Sequence, residues 1–232
     1  MPRRPRIILP GAPVHVIQRG NNRDVCFYGE DDHSSYLGWL KEYARHSGRA
    51  IHAFVLMTNH VHILLTPKSE ESAGDLMKSL GQRYVQYVNR TYRRSGTLWE
   101  GRFRSCLPAE DGYVLGWYRY IELNPVRARM VAHPGEHAWS SYQSNAQGEP
   151  SSLLTPHPLY AALGTDDERR QAAYRELFRP HFEAGLVDEI RLATKGSYAL
   201  GSPRFQGQVA AALGRRASRG QSGRPRKRET WR

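Results

Sequence analysis

The chain has little cysteine, a shortage of acidic residues and no long apolar run. Only Cys26 and Cys106 occur among 232 residues. Two thiols cannot build a disulfide framework or a cysteine-rich zinc site, so both are expected to be reduced. No apolar stretch approaches the roughly 18 residues that suggest a transmembrane span. The start, Met1 to Arg6, is basic, but only Ile7, Ile8 and Leu9 stand before Pro10, too short a run for a secretory signal. A phosphate-cradling Gly-x-x-x-x-Gly-Lys loop is missing, as are a Ser–His–Asp grouping and any internal repeat. Acidic residues number 22 against 34 Lys and Arg, a net charge of +12. That imbalance favours a polyanionic partner, a nucleic acid or an acidic membrane surface. With no membrane span in sight, the expected partner is nucleic acid and the expected location cytoplasmic.

What is present is a run of alternating elements. Val14 to Arg19 reads as a short strand closed by the turn cluster Gly20-Asn21-Asn22. Asp31 to His46 carries Tyr36, Leu37, Leu40, Tyr43 and Ala44 at helical spacing and ends at Gly48. Ile51 to Met57 and His60 to Thr66 read as two strands joined by Thr58-Asn59 in a tight hairpin. Ser72 to Tyr92 places Leu76, Leu80, Tyr84, Tyr87 and Val88 on one helical stripe. Leu98 to Arg104 reads as a strand broken at Gly101, with Arg102 and Arg104 on one face; Tyr113 to Ile121 is a third helix. The order β-α-β-β-α-β-α contains the split βαβ of ferredoxin-like domains. The expected fold is therefore α+β: an antiparallel sheet of four to five strands, helices on one face and the other face open for a site.

Beyond residue 130 the pattern loosens. Gly148-Glu149-Pro150-Ser151-Ser152 reads as a linker, Asp166 to Phe182 as a helix and Ser202 to Leu213 as a weaker one. From Arg215 to Arg232 there are eight basic residues and one acidic, a tail expected to stay disordered until it meets a polyanion. The chain thus divides into a catalytic-type domain over 1–145, a mostly helical extension over 146–214 and a basic tail over 215–232.

Chemistry concentrates in two places. On a strand, residues two apart share a face, so His60 and His62 project side by side while Val61, Ile63 and Leu65 pack behind them. Such a pair is either two structural histidines or part of a metal site. About sixty residues on, Tyr120 and Asn124 are four apart, which puts them on one helix face. Two neutral imidazoles and a carboxamide oxygen form a mixed site that suits Mg²⁺ or Mn²⁺ and leaves room for phosphate oxygens. Pro125 leaves a second role open for Asn124, the N-cap of a short following helix. Arg19, Asn21, Asn22, Arg23, Arg83, Arg102 and Arg104 are candidate DNA contacts, with Tyr84, Tyr87, Trp99 and Phe103 interleaved as possible stacking platforms.

Four motifs in this order resemble a known family, Gln18-Arg19-Gly20-Asn21-Asn22, Asn59-His60-Val61-His62, Leu98 to Arg104, and Tyr120-Ile121-Glu122-Leu123-Asn124-Pro125-Val126-Arg127-Ala128, and the matching span includes Trp139-Ser140-Ser141-Tyr142. They are similar to the single-tyrosine HUH transposases of the IS200-like superfamily, and more narrowly to the REP-associated tyrosine transposases of bacteria. The resemblance spans roughly residues 10 to 145. It implies an enzyme that cleaves and rejoins single-stranded DNA at repetitive extragenic palindromic hairpins through a 5′-phosphotyrosine. Tyr120 would be the nucleophile, with His60, His62 and Asn124 the ligands of Mg²⁺ or Mn²⁺. It also implies a nucleoid-associated protein working as a monomer or homodimer. The competing readings are a non-catalytic hairpin-binding regulator on the same fold and a nuclease in which water attacks while Tyr120 merely packs.

Overall fold

The computed structural model describes residues 5–46, 48–180 and 184–219. Five strands, β1 (Val14–Arg19), β2 (Ala50–Met57), β3 (His60–Thr66), β4 (Arg104–Pro108) and β5 (Ala199–Leu200), form one sheet in the order β2-β3-β1-β4-β5. The first four pair antiparallel, as the split βαβ pattern requires, and β5 adds to β4 in parallel. The α+β expectation holds, with a mixed rather than purely antiparallel sheet.

Helices α1 (Glu30–His46) and α2 (Ser72–Thr91) cover one face. Their buried residues Tyr36, Leu40, Leu76, Leu80 and Tyr84 join Val14, Val16, Val61, Ile63 and Leu65 in a single core. The start of α1 is held by Asp32, whose carboxylate accepts the amides of Tyr28 at 2.6 Å and Gly29 at 3.1 Å and the hydroxyl of Tyr92. Tyr84, Trp99 and Phe103 are buried in this core. Tyr84 stacks on Trp99 with centroids 5.7 Å apart, so these rings bind each other and form no surface platform for bases. An aromatic beside arginines in sequence looks the same whether its partner is a base or another ring.

The second face is not open, contrary to the expectation. It is covered by α3 (Glu110–Glu122) together with helices from the C-terminal part: α5 (Tyr142–Gln147), α6 (Pro158–Ala161), α7 (Asp167–Glu176) and α8 (Ala184–Gly196). The physical reason lies in β2 and β3, where Ala53, Val55, Met57 and Leu64 point away from the first core and need cover of their own. The predicted helix over 166–182 ends at Glu176, and α8 is an element the sequence reading lacks. A short helix α4 (Asn124–Arg127) follows α3, and α9 (Pro203–Leu213) packs Val209 against Ile7, Leu107 and Ala217. Within the expected tail, Ala217 is therefore buried; residues 220–232 lie outside the described residues.

The outer edge of β2 is also covered. The amide of Leu56 donates to Trp139 O, Ser141 to Phe54 O and Thr155 to Ile51 O, all within 3.0 Å. His52 secures the same segment through Thr155 O at 2.7 Å. A strand edge that would otherwise invite pairing with another chain is thereby closed.

The tie between α3 and the C-terminal helices is a buried carboxylate. Glu122 accepts Ser141 Oγ at 2.6 Å, Asn145 Nδ2 at 2.8 Å and Tyr174 Oη at 2.7 Å. Burial pushes its carboxyl up to about 7, while the three donors pull the other way. Replacing Glu122 with Ala strands the Tyr174 hydroxyl and leaves Ser141 and Asn145 only their longer bonds to Phe54 O at 3.2 Å and His52 O at 3.4 Å, and should cost about 2–3 kcal/mol of stability. Glu122→Gln keeps an acceptor oxygen and should lose distinctly less. Urea denaturation midpoints decide this, and equal losses in both variants would contradict the network.

Candidate active site

On β3, His60 and His62 point to the second face, on the opposite side from Val61, Ile63 and Leu65. They line a cleft of about 420 Å³ at one end of the helical layer, with Ile17, Arg19 and Met57 from the other strands. Tyr120 from the last turn of α3 and Asn124 from α4 line the same cleft. The four residues expected to act together are thus brought together.

Pro125 sets the local geometry here. α3 stops at Glu122, Leu123 caps both helices, and the chain restarts at Asn124 with Pro125 in the first turn, where its missing N–H costs nothing. The Asn124 side chain makes no capping bond; its Nδ2 donates to Tyr120 O at 3.4 Å. The N-cap reading of Asn124 does not hold: Leu123 takes that place, Asn124 is the first helical residue, and its carboxamide lines the cleft.

Each histidine has one ring nitrogen engaged. His60 Nδ1 lies 2.6 Å from Asn59 Oδ1, and His62 Nδ1 lies 2.7 Å from Nε2 of the fully buried His15. Among the described residues, neither Nε2 atom has a hydrogen-bond partner. Burial lowers the pKa of His60 to about 4, with Arg19 and Arg127 adding to the effect. Burial, with His15 and His60 beside it, holds His62 well below the usual histidine range. Neutral rings keep a lone pair for a cation. Among the described residues no group of three or more His, Cys, Asp and Glu side chains is placed to hold a metal. The donors on hand are the two Nε2 atoms and the Asn124 carboxamide oxygen, a set that fits a divalent cation also bound to phosphate.

Tyr120 is nearly buried, its ring edge-on to His62 at 5.7 Å, with the Arg127 guanidinium 4.4 Å from its centroid. Burial raises its phenol pKa; Arg127, Arg191 (which also hydrogen-bonds it) and Arg19 oppose that rise. Cationic residues dominate the lining, with Arg19, Arg102, Arg104, Arg127, Arg191 and Lys195 against the one acid Glu100. Arg191, Thr194 and Lys195 come from α8, seventy residues beyond the tyrosine, and sequence reasoning missed them. Arg127 was visible inside the Asn124–Arg127 motif, one helical turn past Asn124, and could have been placed on that spacing.

The other predicted DNA residues divide. Arg19, Arg102 and Arg104 line the cleft. The strand begins only at Arg104, because Gly101 turns the chain at φ 85°, so Arg102 and Arg104 do not share a strand face yet still reach the same space. Asn21, Asn22 and Arg23 form a short 3₁₀ turn after β1, outside the cleft lining. Arg83 sits on the opposite helical layer, 2.8 Å from Glu42 and over the Trp39 ring at 4.9 Å. The structure does not bring it to the site.

The 3₁₀ turn is tightly held. Asn22 and Arg23 both have positive φ, and Asn59 Nδ2 donates to Arg23 O at 2.8 Å. A Cβ on Gly20 would stand 2.3 Å from Asp24 O, so only glycine fits this approach.

Residues 10–124 match the family model for IS200-like transposases, and the chain belongs to that family. Its fold is similar to a solved structure of a REP-associated tyrosine transposase bound to a REP hairpin. That likeness has a TM-score of 0.55 at 15% identity, over 68% of this chain and 93% of that one. A crystal structure of a putative transposase from Deinococcus radiodurans R1 matches with a TM-score of 0.37 at 17% identity, over 56% and 92% of the two chains. No curated protein sequence matches. Among the described residues no helix is long and apolar enough to cross a membrane.

Gly20→Ala should lower stability by about 1–3 kcal/mol, because the loop must move to admit the methyl group. Thermal unfolding checks this; a variant as stable as the parent would show that the close approach to Asp24 is absent.

Proposed function

We propose that this family member is a metal-dependent tyrosine nuclease and strand transferase acting on single-stranded DNA at palindromic hairpins of the REP type, in the bacterial cytoplasm. The observation that carries the reading is that one cationic cleft contains the Tyr120 phenol, two neutral imidazoles whose Nε2 atoms have no hydrogen-bond partner among the described residues, and the Asn124 carboxamide. The hairpin enters by analogy with the structural neighbour, which is bound to one.

In this reading the guanidinium groups of Arg19, Arg102 and Arg104 and the ammonium of Lys195 bind the DNA backbone and steer it into the cleft. Tyr120 Oη attacks the scissile phosphorus and gives up its proton. A bond from tyrosine oxygen to phosphorus forms as the bond to the 3′ oxygen breaks. The 3′ oxygen takes up a proton and leaves as a free hydroxyl, while the 5′ phosphate stays on Tyr120. The reverse attack by the 3′ hydroxyl of another end rejoins DNA without an external energy source. Arg127 and Arg191 stabilise the phenolate as it forms, countering the burial that holds the phenol protonated. His60, His62 and Asn124 would hold Mg²⁺ or Mn²⁺, which withdraws charge from the phosphate when bound. Residues 1–145 supply the reacting groups, and the extension over 146–214 completes one wall through Arg191, Thr194 and Lys195.

Incubation with a labelled hairpin and Mn²⁺, read on a denaturing gel, should give a covalent protein–DNA adduct. Tyr120→Phe should abolish it, and so should His60→Ala while salt-sensitive DNA binding persists. Cleavage by Tyr120→Phe at the parental rate would sink the nucleophile assignment, and absence of any adduct from the parent would favour a binding-only regulator. Arg83→Ala should leave hairpin affinity unchanged, whereas Arg102→Ala should weaken it and reduce the slope of affinity against salt by about 1. A filter-binding series over salt concentration separates the two.

A further inference from the structure

We propose that Asn59 and His15 are positioning residues that set the tautomers of His60 and His62, so that both Nε2 lone pairs face one divalent cation. The proposal rests on the metal-dependent reading above. A neutral imidazole carries one N–H and one lone pair, and the partner of one nitrogen decides which the other presents.

For His60 the local bonds leave one answer. The Asn59 amide nitrogen faces the Arg23 carbonyl at 2.8 Å, and only the nitrogen can donate there. Asn59 Oδ1 is therefore the atom 2.6 Å from His60 Nδ1, and an amide oxygen can only accept. The His60 proton must sit on Nδ1, which leaves Nε2 as a lone pair.

For His62 the bonds leave two answers. His15 Nε2 and His62 Nδ1 share one proton across 2.7 Å, and Thr194 Oγ1 lies 3.4 Å from His15 Nδ1. In one arrangement His62 Nδ1 donates to His15, whose own Nδ1–H points to Thr194. In the other, His15 Nε2 donates to His62, Thr194 donates to His15, and His62 Nε2 carries a proton into the cleft. A hydroxyl donates or accepts as required, so Thr194 serves both. Only the first arrangement leaves His62 Nε2 free to ligate, and binding a cation selects it with no net change in protons. Hydrogen-bonded partners of this kind behind a ligating histidine are generally worth 10–100-fold in metal affinity.

The two partners also reach different parts of the chain. Asn59 connects His60 to the Asn21–Arg23 turn, and His15 connects His62 to α8 through Thr194. Metal affinity should thus respond to changes in either segment.

The test uses the full chain without DNA. Mn²⁺ affinity is followed by electron paramagnetic resonance, and ring-nitrogen shifts are read from long-range ¹H–¹⁵N spectra with and without Mg²⁺. His60 should carry its proton on Nδ1 in both states, and His62 should carry its proton on Nδ1 once Mg²⁺ is bound. His15→Leu and Asn59→Ala should each weaken Mn²⁺ binding by about 10- to 100-fold. His15→Gln, whose amide oxygen can accept the His62 proton, should recover most of the loss. Circular dichroism melts identify any variant that fails to fold, and the parental nitrogen shifts test the proposal independently of every variant. Parental affinity in folded His15→Leu and Asn59→Ala, or a proton on His60 Nδ1 missing from the spectra, overturns the proposal alone. A parental chain that takes up no Mn²⁺ overturns the metal-dependent reading itself, and the proposal with it.

Discussion

Strand β3 has to satisfy two environments at once, and the rest of the molecule follows from how it does so. Val61, Ile63 and Leu65 face a core closed by α1 and α2, while His60, His62 and Leu64 face the other layer. A sheet that buries both faces normally carries apolar residues on each. Polar rings on the second face are tolerated only when their nitrogen atoms are bonded or reach solvent, because an orphaned buried polar group costs roughly 1–3 kcal/mol. Here one nitrogen of each ring is bonded internally and the other opens on the cleft. The second helical layer must therefore stop short at this corner, and that gap is the candidate site.

Keeping the gap the right width falls to α3 and its anchor. Tyr120 lies two residues before Glu122, whose buried carboxylate joins α3 to Ser141, Asn145 and Tyr174. The network that closes the second core thus also sets the height of the phenol above the two imidazoles. Charge acts in the opposite sense. Arg19, Arg127 and Arg191 gather around a phenol that burial disfavours as an anion, and they repel one another unless an anion lies between them. In the proposed reading a DNA phosphate is that anion, and it completes the electrostatics of the cleft.

What was legible in the sequence was what depends on local periodicity. His60 and His62 follow from the two-residue repeat of a strand, and Tyr120 with Asn124 from the four-residue spacing of a helix. The hairpin at Thr58-Asn59 and the stripe of α2 rest on the same logic. Arg83 and Arg102 show the limit. Arg83 lies one residue from Tyr84 in sequence, yet its partner Glu42 is on another helix. Arg102 precedes the strand rather than lying in it, because Gly101 turns the chain. Tyr84, Trp99 and Phe103 are core residues whose arginine neighbours made them look like a binding face.

The wall built by α8 shows why the remainder was hidden. Arg191, Thr194 and Lys195 have no motif and lie in a segment where the family match has already ended. Their position is fixed by Val187, Ile190 and Ala193 on the inner side of the same helix, which pack into the second core. Three residues acquire a place at the site only because three others are apolar at the right helical spacing. The extension is therefore more than cover for the sheet. A chain ending at residue 145 would keep His60, His62, Tyr120 and Asn124. It would lose Thr194 behind His15 and Arg191 beside Tyr120, the contacts that link the histidines and the phenol to one rigid layer.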